Sequence, residues 1–389
     1  MPRPVISGWA HGRFGKADAP DSEALIAPVV EAALAHAEIE PQDVDALVLG
    51  VLNNGFSKQD FQAALVGVVD DRFRSTPALR VENACATGSA ALFTALEKIE
   101  AGAARHVLVV GVEKMTATAT ADVGDILLGA SYRKEEAGEP GGFAGVFGRI
   151  AQSYFQRYGD RSESLARIAA KNHRNGVDNP YAHLRKDLGF AFCNAPSEKN
   201  PRVAGPLRRT DCSLISDGAA ALVVSSEDEI EALPRAVGFA GRAHVNDALP
   251  LSRRDPTRFA GAEAAWAAAL DRAEATLGDL DLVETHDCFT IAELLEYEAM
   301  GLCRPGDGAR AIDEGWTLKG GRLPVNPSGG LKAKGHPIGA TGVSMHVMAC
   351  LQLMGEAEGM QIGGAATAGV FNMGGAAVAN YVSILRRLK

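Results

Sequence analysis

Three short segments of the chain carry side chains able to do covalent or acid–base chemistry. The first is VENACATGSAAL, in which Cys85 stands between a β-rich run and an alanine-rich helical stretch. A thiol there meets unpaired N–H groups and the positive end of a helix dipole, and both favour the thiolate. Gly88 and Ser89 are small and leave the sulfur accessible, although a lone cysteine is more often a buried packing residue. The second segment is NPSGGLKAKGHPIGATG, where Gly335-His336-Pro337 fixes one imidazole in a constrained loop just before a helix. The third is THDCFTIAELLEYEAMG, where a predicted strand over 282–284 ends at His286-Asp287-Cys288-Phe289 and a helix follows. Strand-to-helix junctions converge on the ligand crevice of open α/β folds. Three such junctions bearing Cys or His therefore predict one shared site with Cys85 as its nucleophile.

The elements that must position these residues follow an α/β pattern. Residues 45–52, 78–81 and 106–112 read as strands, with a helix over 86–101 ended by Gly102, which makes a βαβ unit. From 116 to 211 the character changes to glycine- and proline-containing loops (EEAGEPGGFAGVFG, NAPSEKNPRVAGP) around helical patterns at 149–158 and 163–172. That region reads as an insertion capping the core, and 218–225 as a strand returning to the first half. The second half resembles a copy of the first. ATGSAALFTALEKIEAG at Ala86 and ATGVSMHVMACLQLMGEAEG at Ala340 both open a helix with Ala-Thr-Gly, and each precedes a glycine-punctuated strand.

At 389 residues the chain suits two domains or one duplicated fold, and 47% hydrophobic with 22% charged residues is a globular composition. A net charge of −9 excludes a general nucleic-acid surface. Local basic groups could still hold phosphates: Lys171, His173 and Arg174, or Arg208 and Arg209, with solvated surface charge as the plainer reading. Six scattered cysteines without CxxC suit a reducing compartment. Neither GxxxxGK[ST] nor a strand-linked GxGxxG occurs, which disfavours nucleotide sites. His286, Asp287 and Cys288 offer no complete metal-ligand set, so no metal is expected. The first sixteen residues lack a leader-like apolar run, no run is long enough for a membrane span, and RRLK is not a peroxisomal address. A cytoplasmic protein is the expectation.

GRFGK at Gly12–Lys16, VENACATGSAAL, GVEKM at Gly111–Met115, SDGAAALVV at Ser216–Val224, HDCF at His286–Phe289 and GHPIGATG at Gly335–Gly342 together resemble the thiolase family over nearly the whole chain. The HDCF segment is similar to the subgroup related to the thiolase part of sterol carrier protein. The resemblance implies an α/β thiolase fold of two duplicated halves in a five-layer αβαβα arrangement. The expected division is 1–115 with 212–232, an inserted loop domain 116–211, and a second half 233–389. The implied activity is acyl transfer: CoA-dependent cleavage of 3-ketoacyl-CoA, or the reverse Claisen condensation, through an acyl-Cys85 intermediate. CoA and acyl-CoA would be substrates, no cofactor would be bound permanently, and the assembly would be a homodimer or dimer of dimers.

Residue by residue, the resemblance makes Cys85 the acylated nucleophile and His336 its activating base. His286 stands where many thiolases have Asn, binding the thioester oxygen together with His336. The usual C-terminal catalytic cysteine is absent: Val370 aligns there, and the resemblance gives that acid/base role to Cys288. The backbone N–H groups of Cys85 and about Asn372 would form a second oxyanion hole. Ketoacyl synthases share the Cys/His logic but would show HGTGT and NSFGFGG segments, which are absent. A non-catalytic thiolase-like scaffold or acyl-CoA-binding protein is the rival from another class; it would have lost Cys85 or His336.

Overall fold

The computed structural model describes residues 2–389. Runs rich in Val, Leu and Ala become strands buried along their whole length, as in HVLVVGVE and GAAALVVSS. Such continuous apolar runs are what a sheet covered on both faces requires. The strands are β1 (Pro4–His11), β2 (Ala46–Gly50), β3 (Ala78–Val81), β4 (His106–Glu113), β5 (Arg202–Ala204), β6 (Leu207–Arg208), β7 (Gly218–Ser226), β8 (Val237–Asn246), β9 (Leu282–Thr285), β10 (Thr367–Gly374) and β11 (Ala379–Arg387). Nine of them form one mixed sheet in the order β3-β2-β4-β7-β1-β8-β11-β10-β9, and β5 with β6 make a small separate ribbon.

The duplication is visible in the pairing. In the first half β3, β2 and β4 run parallel, β7 is antiparallel to β4, and β1 to β7. In the second half β9 and β10 run parallel, β11 is antiparallel to β10, and β8 to β11. The counterpart of β3 has shrunk to one parallel bridge between Val283 and Val325. The halves join where β1 pairs with β8 over two residues, Val5 with Gly238 and Ile6 with Val237.

Helix Ser22–Ala37 covers one face of the first half and helix Ala260–Arg272 covers the second half, while helices Thr87–Glu100 and Ile338–Met354 lie together between the halves. This gives the five layers. The two central helices touch backbone to backbone. A Cβ on Gly88 would sit 2.7 Å from the Val343 nitrogen, and one on Gly342 would sit 2.2 Å from the Ser89 nitrogen. Only glycine permits that approach.

The segment between β4 and β7 is more helical than its glycines suggest. Helix Phe143–Tyr158 runs through GVFG, and helix Ser162–Gly176 follows. Gly141 and Gly142, both at positive φ, end the loop. Gly145 and Gly148 are helical, and each lets neighbouring backbone (Pro140, Ala204) approach closely. All six cysteines are free, and no helix among the described residues is long and apolar enough to cross a membrane.

Candidate active site

Cys85 sits one residue before the cap of helix Thr87–Glu100, after a backbone twisted into the left-handed region at Ala84 (φ 48°). That conformation costs an alanine about 1–2 kcal/mol. It is held by Thr87, whose Oγ1 donates to the Ala84 carbonyl at 2.6 Å and accepts the Asn83 N–H at 2.9 Å. His336 follows Gly335, whose φ of 112° and 2.6 Å clearance from Ser216 Oγ admit no side chain. His286 and Cys288 lie in the turn between β9 and helix Thr290–Ala299.

The structure brings the four together. The ligating atoms of Cys85, His286 and His336 all lie within 4.8 Å of one another. The two imidazoles stand 5.0 Å apart, nearly perpendicular. Cys85, Cys288 and His336 line one cavity of about 290 Å³, whose other walls include Met115, Leu127, Phe143 and Phe289. Among the described residues, Nε2 of His286 and Nε2 of His336 are buried without a hydrogen-bond partner. A larger groove of about 810 Å³, lined by Asn53, Arg80, Glu82 and Arg133, contains no cysteine or histidine.

Burial dominates the electrostatics. The Cys85 thiol is pushed up to about 12 by desolvation, with the N–H groups of Gly375 and of Cys85 itself pulling the other way. The helix dipole therefore does not leave a resting thiolate, because desolvation outweighs it. Cys288 is raised well above the ordinary thiol by burial and by Cys85 beside it. Burial lowers His336 to about 3, helped by the charge of Lys334, and lowers His286 for the same first reason. Both imidazoles are neutral at physiological pH. His336 Nδ1 contacts Thr341 Oγ1 at 2.6 Å.

Comparison with known proteins places this geometry. Residues 9–189 match the family described as thiolase, N-terminal domain, and residues 243–387 the thiolase C-terminal domain-like family. The chain belongs to the thiolase family. Among its relatives is the acetyl-CoA acetyltransferase of Methanothermobacter thermautotrophicus, 35% identical over 98% of this chain and 99% of that one. Another is sterol carrier protein 2 of Homo sapiens, 35% identical over 77% of this chain. That alignment takes in 56% of sterol carrier protein 2. Human mitochondrial 3-ketoacyl-CoA thiolase, solved in complex with CoA, shares the fold at TM-score 0.76 and 18% identity over 100% of this chain and 98% of that one. An Ltp2–ChsH2(DUF35) aldolase shares it at TM-score 0.82 and 22% identity, over 99% and 98%. As a thiolase-family member the protein is an acyl-CoA acyltransferase.

One feature of this thiolase adds to the sequence expectation and one differs from it. At the sulfur, the backbone N–H of Gly375 joins that of Cys85 itself. Asn372 is buried in β10, and it is its side chain that faces the site. The basic groups read as phosphate or surface patches are partly internal struts. Lys171 pairs with Glu293 at 2.7 Å and Arg208 with Asp211 at 2.8 Å, all four buried, and His173 is buried too. Arg174 and Arg209 remain exposed. The struts are needed because the HDCF helix is anchored to the capping segment from inside: Asn172 Nδ2 donates to Asp287 at 2.7 Å and to Glu293 at 2.6 Å.

Three buried carboxylates to which sequence reasoning gave no structural role hold the frame. Glu113 accepts the N–H groups of Leu52, Asn53 and Gly339 at 2.9, 3.0 and 3.0 Å. Asp287 accepts those of Leu331 and Lys332, at the head of the short helix that leads to His336. Asp217 joins three motifs, accepting from Ala17 N, Lys114 Nζ, Met115 N and Thr116 N. A signal existed for the first: an acidic residue ending a strand that, His106 apart, is otherwise apolar must be satisfied internally.

Cys85, His286 and His336 form a three-ligand group of the kind a metal ion accepts, sharing only His286 with the HDC run.

Proposed function

We propose that the protein transfers acyl groups between CoA thioesters through an acyl-Cys85 intermediate, cleaving 3-ketoacyl-CoA with CoA or forming it by the reverse condensation. The observation that carries this reading is the convergence of Cys85, Cys288 and His336 on one apolar cavity, with His286 within 4.8 Å of Cys85 and His336. In the first half-reaction His336 Nε2 takes the Cys85 proton as the sulfur attacks the thioester carbonyl. A resting thiol with a raised pKa makes proton removal and attack concerted. The N–H groups of Gly375 and Cys85, which approach the sulfur, are the donors offered to the oxyanion that forms beside it, and each such donor is worth about 3 kcal/mol. CoA leaves as the thiol with a proton from Cys288, His336 keeps the proton taken from Cys85, and the acyl group stays on sulfur. In the second half-reaction the Cys288 thiolate removes an α-proton from an acyl-CoA whose carbonyl oxygen is held by His286 and by protonated His336. The carbanion then attacks acyl-Cys85, and the leaving sulfur regains its proton from His336. Thiolysis is the same path reversed.

Incubation with radiolabelled acyl-CoA should label the protein stoichiometrically, and Cys85→Ser should abolish the label. Cys288→Ala should keep the label and lose condensation and thiolysis by about 10²–10⁴-fold, the span of a general acid/base. A wild type that takes no label supports the scaffold reading instead, and full turnover in Cys288→Ala moves the acid/base elsewhere.

A further inference from the structure

We propose that Asn372 is a positioning residue that sets the tautomer of His286 and thereby divides the work between the two imidazoles. The inference rests on the acyl-transfer reading above. One end of the Asn372 amide lies 3.1 Å from the Cys85 carbonyl oxygen and 2.9 Å from His286 Nδ1. The other end lies 2.8 Å from Ser89 Oγ. A carbonyl oxygen only accepts, so the end facing Cys85 is the NH₂ group. The reversed amide would set two oxygens against each other. The two protons of Nδ2 therefore go to the Cys85 oxygen and to His286 Nδ1, while Oδ1 takes the Ser89 hydroxyl proton. Every polar atom of the amide is satisfied, and the assignment has no slack.

Because His286 Nδ1 accepts, its ring proton is on Nε2, the atom left buried without a protein partner. His336 is the opposite case. Thr341 has a single hydroxyl proton, donated to the Pro337 carbonyl at 2.9 Å, so its oxygen must accept from His336 Nδ1 at 2.6 Å. His336 Nε2 then carries the lone pair. Two imidazoles with equally buried Nε2 atoms are thus given different jobs, one a hydrogen-bond donor for substrate oxygen and the other a base for the Cys85 thiol. The amide that fixes the donor also grips the carbonyl of the nucleophile. One side chain of the second half thus holds His286 of its own half and Cys85 of the other.

Asn372→Asp is the near-isosteric test. A carboxylate accepts a proton from His286 Nδ1, which empties Nε2 of its donor, and it repels the Cys85 carbonyl. Turnover should fall about 10²–10³-fold, the cost of losing one oxyanion donor, with KM changed far less than kcat. In a His286→Gln background the side-chain NH₂ donates whatever its neighbour is, so adding Asn372→Asp should cost under about tenfold, a non-additivity expected of coupled groups. Equal losses in both backgrounds would mean that Asn372 only supports the fold and would overturn the proposal. If Asn372→Asp does not fold, the wild type decides. Nitrogen-15 NMR of histidine-labelled protein, with His286 assigned by its loss in His286→Gln, should show protonated Nε2 and bare Nδ1; the reverse pattern overturns the inference. Failure of wild-type Cys85 to take an acyl label would instead sink the acyl-transfer reading, whichever tautomer the spectrum shows.

Discussion

His336 is gripped on both flanks by buried carboxylates, Asp287 through the N–H groups of Leu331 and Lys332 and Glu113 through that of Gly339. Burial raises each acid to about 7, with Glu293 adding to the rise at Asp287 and backbone N–H groups opposing it at both. His336 itself stays neutral down to about 3. The loss of activity in acid therefore belongs to the carboxylates, whose grip weakens as they protonate. In Glu113→Gln the acylation rate at pH 8 should drop roughly 10- to 100-fold, as for a small misplacement of a reacting group, and its dependence on pH should flatten. Alkylation of Cys85 should move the other way, because the Glu113 charge is one of the factors holding that thiol up. Stability has its own sign. A folded pKa raised above the unfolded value gives stability that is complete below about pH 4.5 and is lost as pH rises through 7. Wild type should lose about 3 kcal/mol relative to Glu113→Gln between pH 4.5 and pH 8, read by denaturant unfolding at each pH. A wild-type pH profile in the variant would refute the Glu113 grip.

The helices that carry Cys85 and follow His336 are set by one glycine contact, and the consequences of filling it are local. A methyl at Gly342 would stand 2.2 Å from the Ser89 nitrogen and 2.5 Å from Asn372 Oδ1. Gly342→Ala should cost about 1–3 kcal/mol in a denaturant melt, and by spreading the helices it should slow Cys85 acylation more than Gly363→Ala, a site with open space. Equal acylation rates would show that the contact is tolerant. The pairing of these helices was legible in the repeated Ala-Thr-Gly heads, since a small-residue motif recurring at a helix start has a packing cause. The helix Phe143–Tyr158 was less so, because a glycine chosen for close approach looks in sequence like a glycine chosen for a turn. Lys171 and Arg208 were misread for a related reason: a lone basic residue gives no sign that Glu293 or Asp211 waits for it across a fold contact. Asn372 was expected to act through its backbone, and its side-chain contacts to Cys85 and His286 went unread, since periodicity can place a strand residue without showing where its amide points.

At the scale of the molecule, the sheet is unfinished at one margin. β3 is the outermost strand of the first half, and its residues are exposed or half-buried in alternation, with Ala78 and Arg80 outward. An edge with an unpaired ladder invites another strand. Nearby in sequence, Phe61 is 84% and Val68 73% exposed, unusual for large apolar side chains on a finished surface. The proposed occupant is a second copy of the chain, because β3 meeting itself antiparallel about a two-fold axis completes the ladder and uses one patch twice. β3 leads directly through Glu82 to Cys85, so that contact would brace the nucleophile's approach strand. Sedimentation at micromolar concentration should give twice 40.7 kDa. Replacing both Phe61 and Val68 by Glu, changes at solvent-facing positions, should shift the species to the monomer and lower acylation activity without unfolding the chain. A wild type that sediments as a monomer excludes the dimer. A variant that stays dimeric places the interface on another face, and the exposed Phe61 would then need a different explanation.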